Sequence, residues 1–494
     1  MQGGDTLISS IIVGMGWAAG VVMLILFIML VQDLLQPHSA VRRNYPVIGR
    51  LRYFLEKQGE FFRQYFFAHD REEQPFNRAT RNYVYRSSKN IKPVIGFGST
   101  NDLREPGTVI FVSTPFAEAE ENTRATQPKV IGEIREKPFQ PKNIFNLSGM
   151  SFGALSEPAV KALSKGAAEA GIWTNTGEGG LSSHHLVGGG DVIFQIGTAK
   201  YGVRDAEGHL CDEKLKEIAE KVVAFEIKLG QGAKPGKGGI LPGAKVTQEI
   251  ADIRGIPAGE DSISPNRHED ISNTEELLDM INRIHRLTGR PVGIKIVVGD
   301  HKFVESLCEA ILERGEGSEP DFITVDGAEG GTGAAPQVLA DHMGMPLNEA
   351  LPTVVDTLIK HGLRQRIDVI ASGKLVTAAA VARALCLGAD FCVSARGFLF
   401  SLGCIQSLQC HSDHCPTGIT TQDKRLQKGL NVELKAQRIA NYAKWVNQEV
   451  DMLAHSCGLK NANAFSREHA RIVDTADKST AMDVLHPYPE GGLK

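Results

Sequence analysis

The sequence has little of several features that would assign it to a common class of protein. Only eight cysteines occur in 494 residues, which excludes a secreted disulfide framework and favours a reducing compartment. The net charge is −4, so there is no excess of basic residues for binding nucleic acid. No strand followed by G-x-G-x-x-G heads a two-layer domain, so a nicotinamide-binding fingerprint is absent. Hydrophobic residues make up 42% of the chain, which excludes global disorder.

The N-terminal stretch from Leu7 to Val31 lacks charged residues altogether. It is long enough to cross the hydrocarbon core of a bilayer. No Lys or Arg precedes it, which disfavours the alternative of a cleaved signal peptide. Four arginines follow it, at positions 42, 43, 50 and 52. The positive-inside rule therefore predicts a single-pass anchor in residues 1–35 at the inner (plasma) membrane, with the bulk of the chain that follows it facing the cytoplasm.

Residues 36–140 form a mixed α/β extension in which aromatic residues alternate with arginines between Tyr53 and Phe67. Such a segment either lies on the bilayer or packs as a helix on the main domain. Interspersed Glu and Asp residues favour the packed helix. Asn82–Tyr85 and Thr108–Val112 are predicted to be short strands.

Eight short apolar runs alternate with helix-length segments between residues 141 and 425. Strand–helix alternation of this length predicts a parallel (β/α)8 TIM barrel, with a doubly wound sheet as the alternative. The predicted strands are Ile144–Leu147, Ile172–Thr174, Val192–Ile196, Val222–Leu229, Val292–Val298, Phe322–Val325, Ile367–Ile370 and Phe391–Val393. The predicted helices between them include Glu157–Ala170, Asp212–Lys221, Thr274–Leu287, Val304–Arg314 and Ala378–Leu387. Residues 426–494 are predicted to be a mainly helical C-terminal segment.

Polar and glycine-rich loops follow several of these strands, where a barrel builds its site. Glycine lets backbone N–H groups approach a flat ring or a phosphate closely. The loops after the seventh and eighth strands, where such barrels commonly bind phosphate, contain Gly373-Lys374 and Arg396-Gly397.

Three cysteines, Cys404, Cys410 and Cys415, lie in one short segment that ends in Pro416. The spacing C-x5-C-x4-C suits a three-iron cluster, because each iron needs one outer thiolate. Three reduced core cysteines, or a zinc site that uses His411 or His414, are the alternatives left by the spacing alone.

Long motifs between residues 140 and 425 resemble the FMN-binding synthase domain of glutamate synthase. The motifs occur in the family's order. They are Met150-Ser151-Phe152-Gly153-Ala154-Leu155-Ser156, Asn175-Thr176-Gly177-Glu178-Gly179-Gly180, Gln231-Gly232-Ala233-Lys234-Pro235-Gly236-Lys237-Gly238-Gly239, Gly330-Gly331-Thr332-Gly333-Ala334 and the three-cysteine run. The chain is most similar to the stand-alone, membrane-anchored members of that family.

The resemblance implies a barrel that binds FMN and a [3Fe–4S] cluster held by the three cysteines. It also implies reduction of 2-iminoglutarate, made from 2-oxoglutarate and ammonia, to L-glutamate. The residues it assigns to the cofactor are Met150, Ser151, Asn175, Thr176, Lys228, Gln231, Lys295, Asp326, Gly330, Gly331, Thr332, Gly333, Ser372, Gly373, Lys374, Ser394, Ala395 and Arg396.

Two residues are candidates for catalysis. Lys295 ends an apolar strand, where a buried lysine needs an anionic partner. We expect it to lie near the flavin and the substrate carboxylate and to stabilise reduced flavin, with a structural ion pair as the alternative. Glu178, in a glycine turn, either positions ammonia or the imine or only holds the loop. His184 and His185 are interpreted as loop residues rather than catalysts.

Electrons are expected from a partner such as ferredoxin, a separate reductase or a membrane donor. Two functional classes stay open: a glutamate synthase-type oxidoreductase that uses ammonia, and a membrane-tethered electron-transfer or regulatory subunit without glutamate synthesis. A 2-hydroxy-acid oxidase is disfavoured because such an enzyme has no need of the three cysteines. No amidotransferase-type cysteine nucleophile is recognisable in the sequence, so we expect no glutaminase activity.

Overall fold

A computed structural model describes residues 2–92, 94–119 and 125–490, with side chains from residue 10 onward. The chain forms two compact units, residues 1–80 and 81–494.

The first unit is helical. It contains α1 (Gln2–Leu35), α2 (Ala40–Asn44) and α3 (Ile48–Phe62), and a π-helical turn continues α3 through Arg63–Phe67. By length and composition, one helix among the described residues could cross a membrane, at Ser10–Leu35 with a mean hydropathy of 2.6; a signal sequence would satisfy the same criteria. The aromatic side chains of residues 53–67 are exposed, and the interpretation of this segment as a helix packed on the main domain stays a prediction.

The second unit is built on short strands and amphipathic helices. Its strands are β1 (Val109–Phe111), β2 (Phe145–Leu147), β3 (Thr174–Asn175), β4 (Val192–Ile196), β5 (Ala224–Lys228), β6 (Ile240–Leu241), β7 (Ser262–Ile263), β8 (Val292–Ile296), β9 (Phe322–Asp326), β10 (Asp368–Ser372), β11 (Phe391–Ser394), β12 (Ala470–Thr475) and β13 (Lys478–Ala481). Its helices are α4 (Arg78–Ser88), α5 (Glu157–Ala170), α6 (Ser183–Leu186), α7 (Asp212–Ala219), α8 (Gln248–Arg254), α9 (Thr274–Thr288), α10 (Lys302–Arg314), α11 (Gln337–His342), α12 (Leu347–Lys360), α13 (Ala378–Cys386), α14 (Arg396–Leu402), α15 (Lys424–Gln427), α16 (Val432–Ser456) and α17 (Met482–Leu485).

Eight parallel strands form a nearly closed barrel in the order β2-β11-β10-β9-β8-β5-β4-β3. Between the two end strands, the Leu147 N–H donates to the carbonyl of Trp173 at 3.2 Å. Nearly every strand residue is buried, as expected for a parallel sheet covered by helices. The predicted TIM barrel is therefore confirmed and the doubly wound alternative is excluded. The second strand begins two residues later than predicted, at Thr174.

Local propensity misled one strand prediction. Asn82–Tyr85 is rich in aromatic and β-branched residues, but it lies inside helix α4. The buried residues of α4 are Arg81, Val84, Ser87 and Ser88. Their helical spacing shows that burial of one helix face outweighs strand propensity here.

The C-terminal segment is helical only in part. Helix α16 packs on α5, where a Cβ on Gly166 would lie 2.5 Å from the Ala436 carbonyl oxygen. The prediction did not include the hairpin β12–β13, whose strand β12 pairs antiparallel with β1. Strand β1 confirms the prediction for Thr108–Val112.

Candidate active site at the carboxyl ends of the barrel strands

Two buried lysines lie side by side where strands β5 and β8 end. Lys228 and Lys295 are register partners on these neighbouring parallel strands. Lys228 Nζ lies 3.0 Å from a carboxylate oxygen of Glu178, and Lys295 Nζ lies 3.4 Å from a carboxylate oxygen of Asp326. Each buried cation therefore has its own carboxylate, which offsets the cost of its burial.

Asp326 connects three of the strand-end loops. One of its carboxylate oxygens accepts from the backbone N–H of Gly232 at 2.8 Å, and the other accepts from the Ser372 hydroxyl at 2.6 Å. A Cβ on Gly232 would lie 1.8 Å from the carbonyl oxygen of Gly327, so this loop requires glycine. The arrangement fixes the carboxylate that faces Lys295.

Glu178 lies in a single 3-10 turn, Gly177–Gly179, and faces two lysines. Besides Lys228, Lys234 Nζ lies 3.9 Å from its carboxylate. Burial alone would raise the pKa of Glu178, but the charges of Lys228 and Lys234 outweigh burial and hold it below the usual value. Glu178 is therefore an anion, which can accept hydrogen bonds from an ammonium or amine group.

Three buried polar residues that were not predicted, Gln195, Glu226 and Thr324, form a cluster with the predicted Asn175 inside the barrel. The buried carboxylate of Glu226 accepts from Asn175 Nδ2 at 3.0 Å, Gln195 Nε2 at 2.6 Å and Thr324 Oγ1 at 2.7 Å. Asn175, Glu226, Thr324 and Lys295 line one cavity with Ser148 and Gly149. Polar residues at inward positions of otherwise apolar strands were the available signal.

The loops after β10 and β11 bring two cations close together. Burial, and then the charge of Arg396, lower the pKa of Lys374. Burial lowers the pKa of Arg396 to about 10. Arg396 Nη2 donates to the Glu329 carbonyl at 2.5 Å, and Lys374 has a left-handed φ of 56°. Two like charges held together in a partly buried site favour a bound anion such as a phosphate.

The other predicted cofactor residues differ in where their polar groups point. Gln231 links two strand-end loops, because it accepts from Lys228 at 3.1 Å and donates to the Gly331 carbonyl at 2.8 Å. Thr176 does not offer its hydroxyl to the cavity: it donates to the Gly177 carbonyl and accepts from the Gln195 N–H. The Thr332 hydroxyl bonds within its own loop, to the Ala334 carbonyl at 3.4 Å.

The remaining predicted cofactor residues are distinguished by where their backbone lies. A Cβ on Gly177 would lie 2.7 Å from the N atom of Ser151, so the loops after β2 and β3 are in close contact. The predicted residues Met150, Gly330, Gly333, Gly373, Ser394 and Ala395 all lie in loops at strand ends or in the last residue of a strand. His184 and His185 lie in helix α6, and His185 accepts from the Ser182 N–H, which is a capping role.

The three-cysteine loop begins after α14 and carries unusual backbone. Gln406, Leu408 and Asp413 have φ near +60°, and they are three of the eight non-glycine residues with positive φ in the described part of the chain. Strained residues of this kind concentrate at functional sites. The Gln406 N–H points at Cys404 Sγ at 3.4 Å, and Thr417 Oγ1 lies 3.2 Å from Cys415 Sγ. Hydrogen bonds to sulfur are typical of the surroundings of iron–sulfur clusters.

A lysine from another loop faces the three-cysteine loop. Lys245, only 2% exposed, donates to the Cys410 carbonyl at 3.1 Å. Burial lowers its pKa, opposed by Asp413 and the thiols of Cys410 and Cys415. The nearby groups that can balance its charge are therefore Asp413 and, when ionised, the thiols of Cys410 and Cys415.

The described residues contain no group of three His, Cys, Asp or Glu side chains placed to hold a single metal ion. This holds for Cys404, Cys410 and Cys415 as it does for His411 and His414, so the three-iron cluster and the zinc alternative both stay predictions. The donor types around the three thiols, which are hydrogen-bonding groups and a buried lysine, are chemically compatible with thiolate-bound iron.

Comparisons with known proteins identify the family. A family model described as the conserved region in glutamate synthase matches residues 112–460. The chain belongs to the glutamate synthase family. The glutamate synthase large subunit-like protein YerD of Bacillus subtilis is 43% identical over 481 residues, covering 89% of this chain and 91% of that protein. The archaeal glutamate synthase [NADPH] of Methanocaldococcus jannaschii is 36% identical over 341 residues, covering 69% of this chain and 64% of that protein.

This membership makes the chain an oxidoreductase of the glutamate synthase type, for which FMN binding is plausible. Among solved structures, an active chimera of (S)-mandelate dehydrogenase aligns with a TM-score of 0.49 at 13% identity, covering 79% of this chain and 98% of that chain. That likeness is too distant to bear on function.

Proposed function

We propose that this member of the family reduces 2-iminoglutarate, formed from 2-oxoglutarate and ammonia, to L-glutamate. The observation that carries the proposal is the pair Lys228 and Lys295 at the barrel mouth. Two adjacent buried cations suit a dicarboxylate substrate and a flavin that gains negative charge on reduction. FMN, when bound, supplies hydride, and the cluster passes single electrons.

The chain's own residues divide the remaining tasks. Lys374 and Arg396 would hold the phosphate of FMN, because both are cations of the strand-end loops. Lys295 would stabilise the charge that develops during reduction, with its position fixed by Asp326. Glu178 would orient ammonia or the imine nitrogen, since an anion flanked by lysines accepts hydrogen bonds from N–H donors.

The three cysteines would hold a [3Fe–4S] cluster, supported by their spacing and by the sulfur-directed hydrogen bonds of their loop. Electrons would reach the cluster from ferredoxin or a separate reductase. The relatives named glutamate synthase [NADPH] make an NADPH-linked reductase the first donor to test.

One assay separates this function from an electron-transfer subunit. The purified full-length protein is supplied with 2-oxoglutarate, ammonium and the chemical reductant dithionite, and L-glutamate is measured by chromatography. We expect glutamate only when all three are present. Protein replete in FMN and iron that forms no glutamate would contradict the proposal and favour the electron-transfer role.

We also propose that α1 anchors the chain in the inner membrane, supported by its apolar span Ser10–Leu35 and the arginines beyond it. Vesicle flotation tests this directly: the full-length protein should rise with liposomes after a high-salt wash. Cleavage of the N-terminal stretch from the protein isolated from cells would instead identify a signal peptide.

A further inference from the structure

Helix α3 and the π-helical turn after it carry a long apolar face that is open to solvent. Its eight large side chains are between 46% and 75% exposed. They are Ile48, Leu51, Phe54, Leu55, Phe61, Phe62, Tyr65 and Phe66. An exposed apolar surface of this size marks an interaction site.

The face is sharply separated from the charged residues of the same helix. At about 100° per residue, the six apolar residues of α3 fall within an arc of about 140°. The charged residues Arg50, Arg52, Glu56, Lys57 and Glu60 all fall outside that arc. Residues 40–67 contain six basic and two acidic residues, so the polar side is cationic overall. This division is typical of helices that lie in a membrane interface.

A buried carboxylate ties the start of α3 to the end of α1. Asp33, near the end of the candidate span, is fully buried. It accepts from Arg42 at 2.6 Å, from Arg50 at 2.8 Å and from the backbone N–H of Val47 at 3.0 Å. Two arginines and a backbone N–H compensate the buried charge of Asp33. The connection between α1 and α3 is therefore held by specific hydrogen bonds and ion pairs rather than being a flexible linker.

We propose that α3 and the turn Arg63–Phe67 lie in the interface of the bilayer that holds α1, with the apolar face toward the acyl chains. The inference rests on the proposed membrane attachment. Three observations favour lipid over a protein partner: the Asp33 junction keeps α3 at the end of the span, the face is rich in Phe and Tyr, and basic residues flank it. The chain would then have a second membrane contact beyond its span.

Two tryptophan variants of the full-length protein test the orientation of α3. Both carry Trp17→Phe, since Trp17 lies in the span. Phe54→Trp places the probe on the apolar face, and the matched control Glu56→Trp places it about 160° away on the same helix. Phe62→Trp and Glu60→Trp form a second pair, used if either first variant misfolds.

Each variant is reconstituted into vesicles of phosphatidylcholine and phosphatidylglycerol with or without acyl-chain bromine. The signal of each probe is the emission that its tryptophan adds to the Trp17→Phe parent. We expect bromine to quench the Phe54→Trp signal at least twofold more than the Glu56→Trp signal. Aqueous iodide should quench the two signals in the opposite order. Equal quenching in protein that floats with vesicles would overturn this inference alone.

Protein that fails to float would overturn the membrane attachment and this inference together. Shielding of Phe54→Trp from iodide without quenching by bromine would show that protein, either a second copy or a partner, covers the face. That result would also overturn the lipid assignment.

Discussion

Lys228 and Lys295 are register partners on adjacent parallel strands, yet their ammonium groups contact different carboxylates, Glu178 and Asp326. The two carboxylates come from the loop after β3 and from the end of β9. Four strands therefore contribute charge to one small region. Both lysines are already buried and in contact with a carboxylate, so an anion that binds at either one does not have to remove the water shell of an exposed cation.

Replacing Lys295 by Met should lower kcat about 100-fold or more while FMN stays bound. The substitution removes the positive charge but keeps a long side chain, so the loss reflects electrostatic stabilisation of the reduced state. Turnover and the flavin absorbance per chain are measured together. Lys137→Met removes a partly exposed lysine paired with Glu220 and should leave both values unchanged. Unchanged turnover in Lys295→Met would contradict the role given to this residue.

Replacing Cys410 by Ser should abolish the cluster while leaving a folded protein that still binds FMN. Three thiolates serve three irons, so we expect about three irons per wild-type chain and essentially none in the variant. Iron is measured by elemental analysis and the cluster by electron paramagnetic resonance. Cys211→Ser, at a cysteine outside the three-cysteine loop, is the control and should retain full iron. Zinc in place of iron in the wild-type protein would refute the cluster.

Strand ends could be predicted from the sequence because each barrel strand is a short apolar run followed by glycine or a polar residue. The side-chain contacts between distant parts of the chain could not be predicted in this way. Lys245 lies in a short turn 165 residues before Cys410, and only tertiary folding brings its ammonium group to the three-cysteine loop. The hairpin β12–β13 was missed because β12 is only half buried and β13 has no fully buried residue, so neither strand shows a clear alternation of apolar and polar residues.

Replacing Lys245 by Met should lower the reduction potential of the cluster. A nearby buried cation stabilises the more negative, reduced form, so its removal makes reduction harder, by on the order of 50 mV for a partly screened unit charge. Potentiometric titration followed by electron paramagnetic resonance measures the shift. Lys237→Met, at an exposed lysine, is the control and should not change the potential. An unaltered potential with full iron in Lys245→Met would contradict this electrostatic role.

Acid should destabilise the fold through His268. Burial lowers its pKa to about 4 and a hydrogen bond to the Lys228 carbonyl at 3.0 Å only partly opposes this effect. Unfolding restores an ordinary pKa near 6.5, so the unfolded chain binds a proton that the folded chain does not. This contribution to stability is present above pH 6.5 and is lost as pH falls toward 4, at about 1.4 kcal/mol per pH unit.

His268→Gln should therefore flatten the dependence of melting temperature on pH between 6.5 and 4, measured by circular dichroism. His185 has a similarly lowered pKa of about 4 because of burial, so part of the dependence should remain. The control His209→Gln, at a largely exposed histidine, should keep the wild-type dependence. A His268→Gln curve parallel to wild type would show that folding does not lower the pKa of this histidine.

Ammonium, rather than glutamine, should support glutamate formation by the isolated chain. Glutamine hydrolysis needs an activated nucleophile, and a cysteine serves only as the thiolate. Burial raises the pKa of the thiol of Cys308 to about 12 and holds those of Cys386 and Cys392 above the usual value, so these groups stay protonated. Cys404, Cys410 and Cys415 are assigned to the cluster. We expect no release of ammonia from glutamine and full activity with ammonium salts. Glutamate formed from glutamine at a comparable rate, and abolished by the glutamine-directed alkylating agent 6-diazo-5-oxo-norleucine, would reveal a nucleophile that this assignment misses.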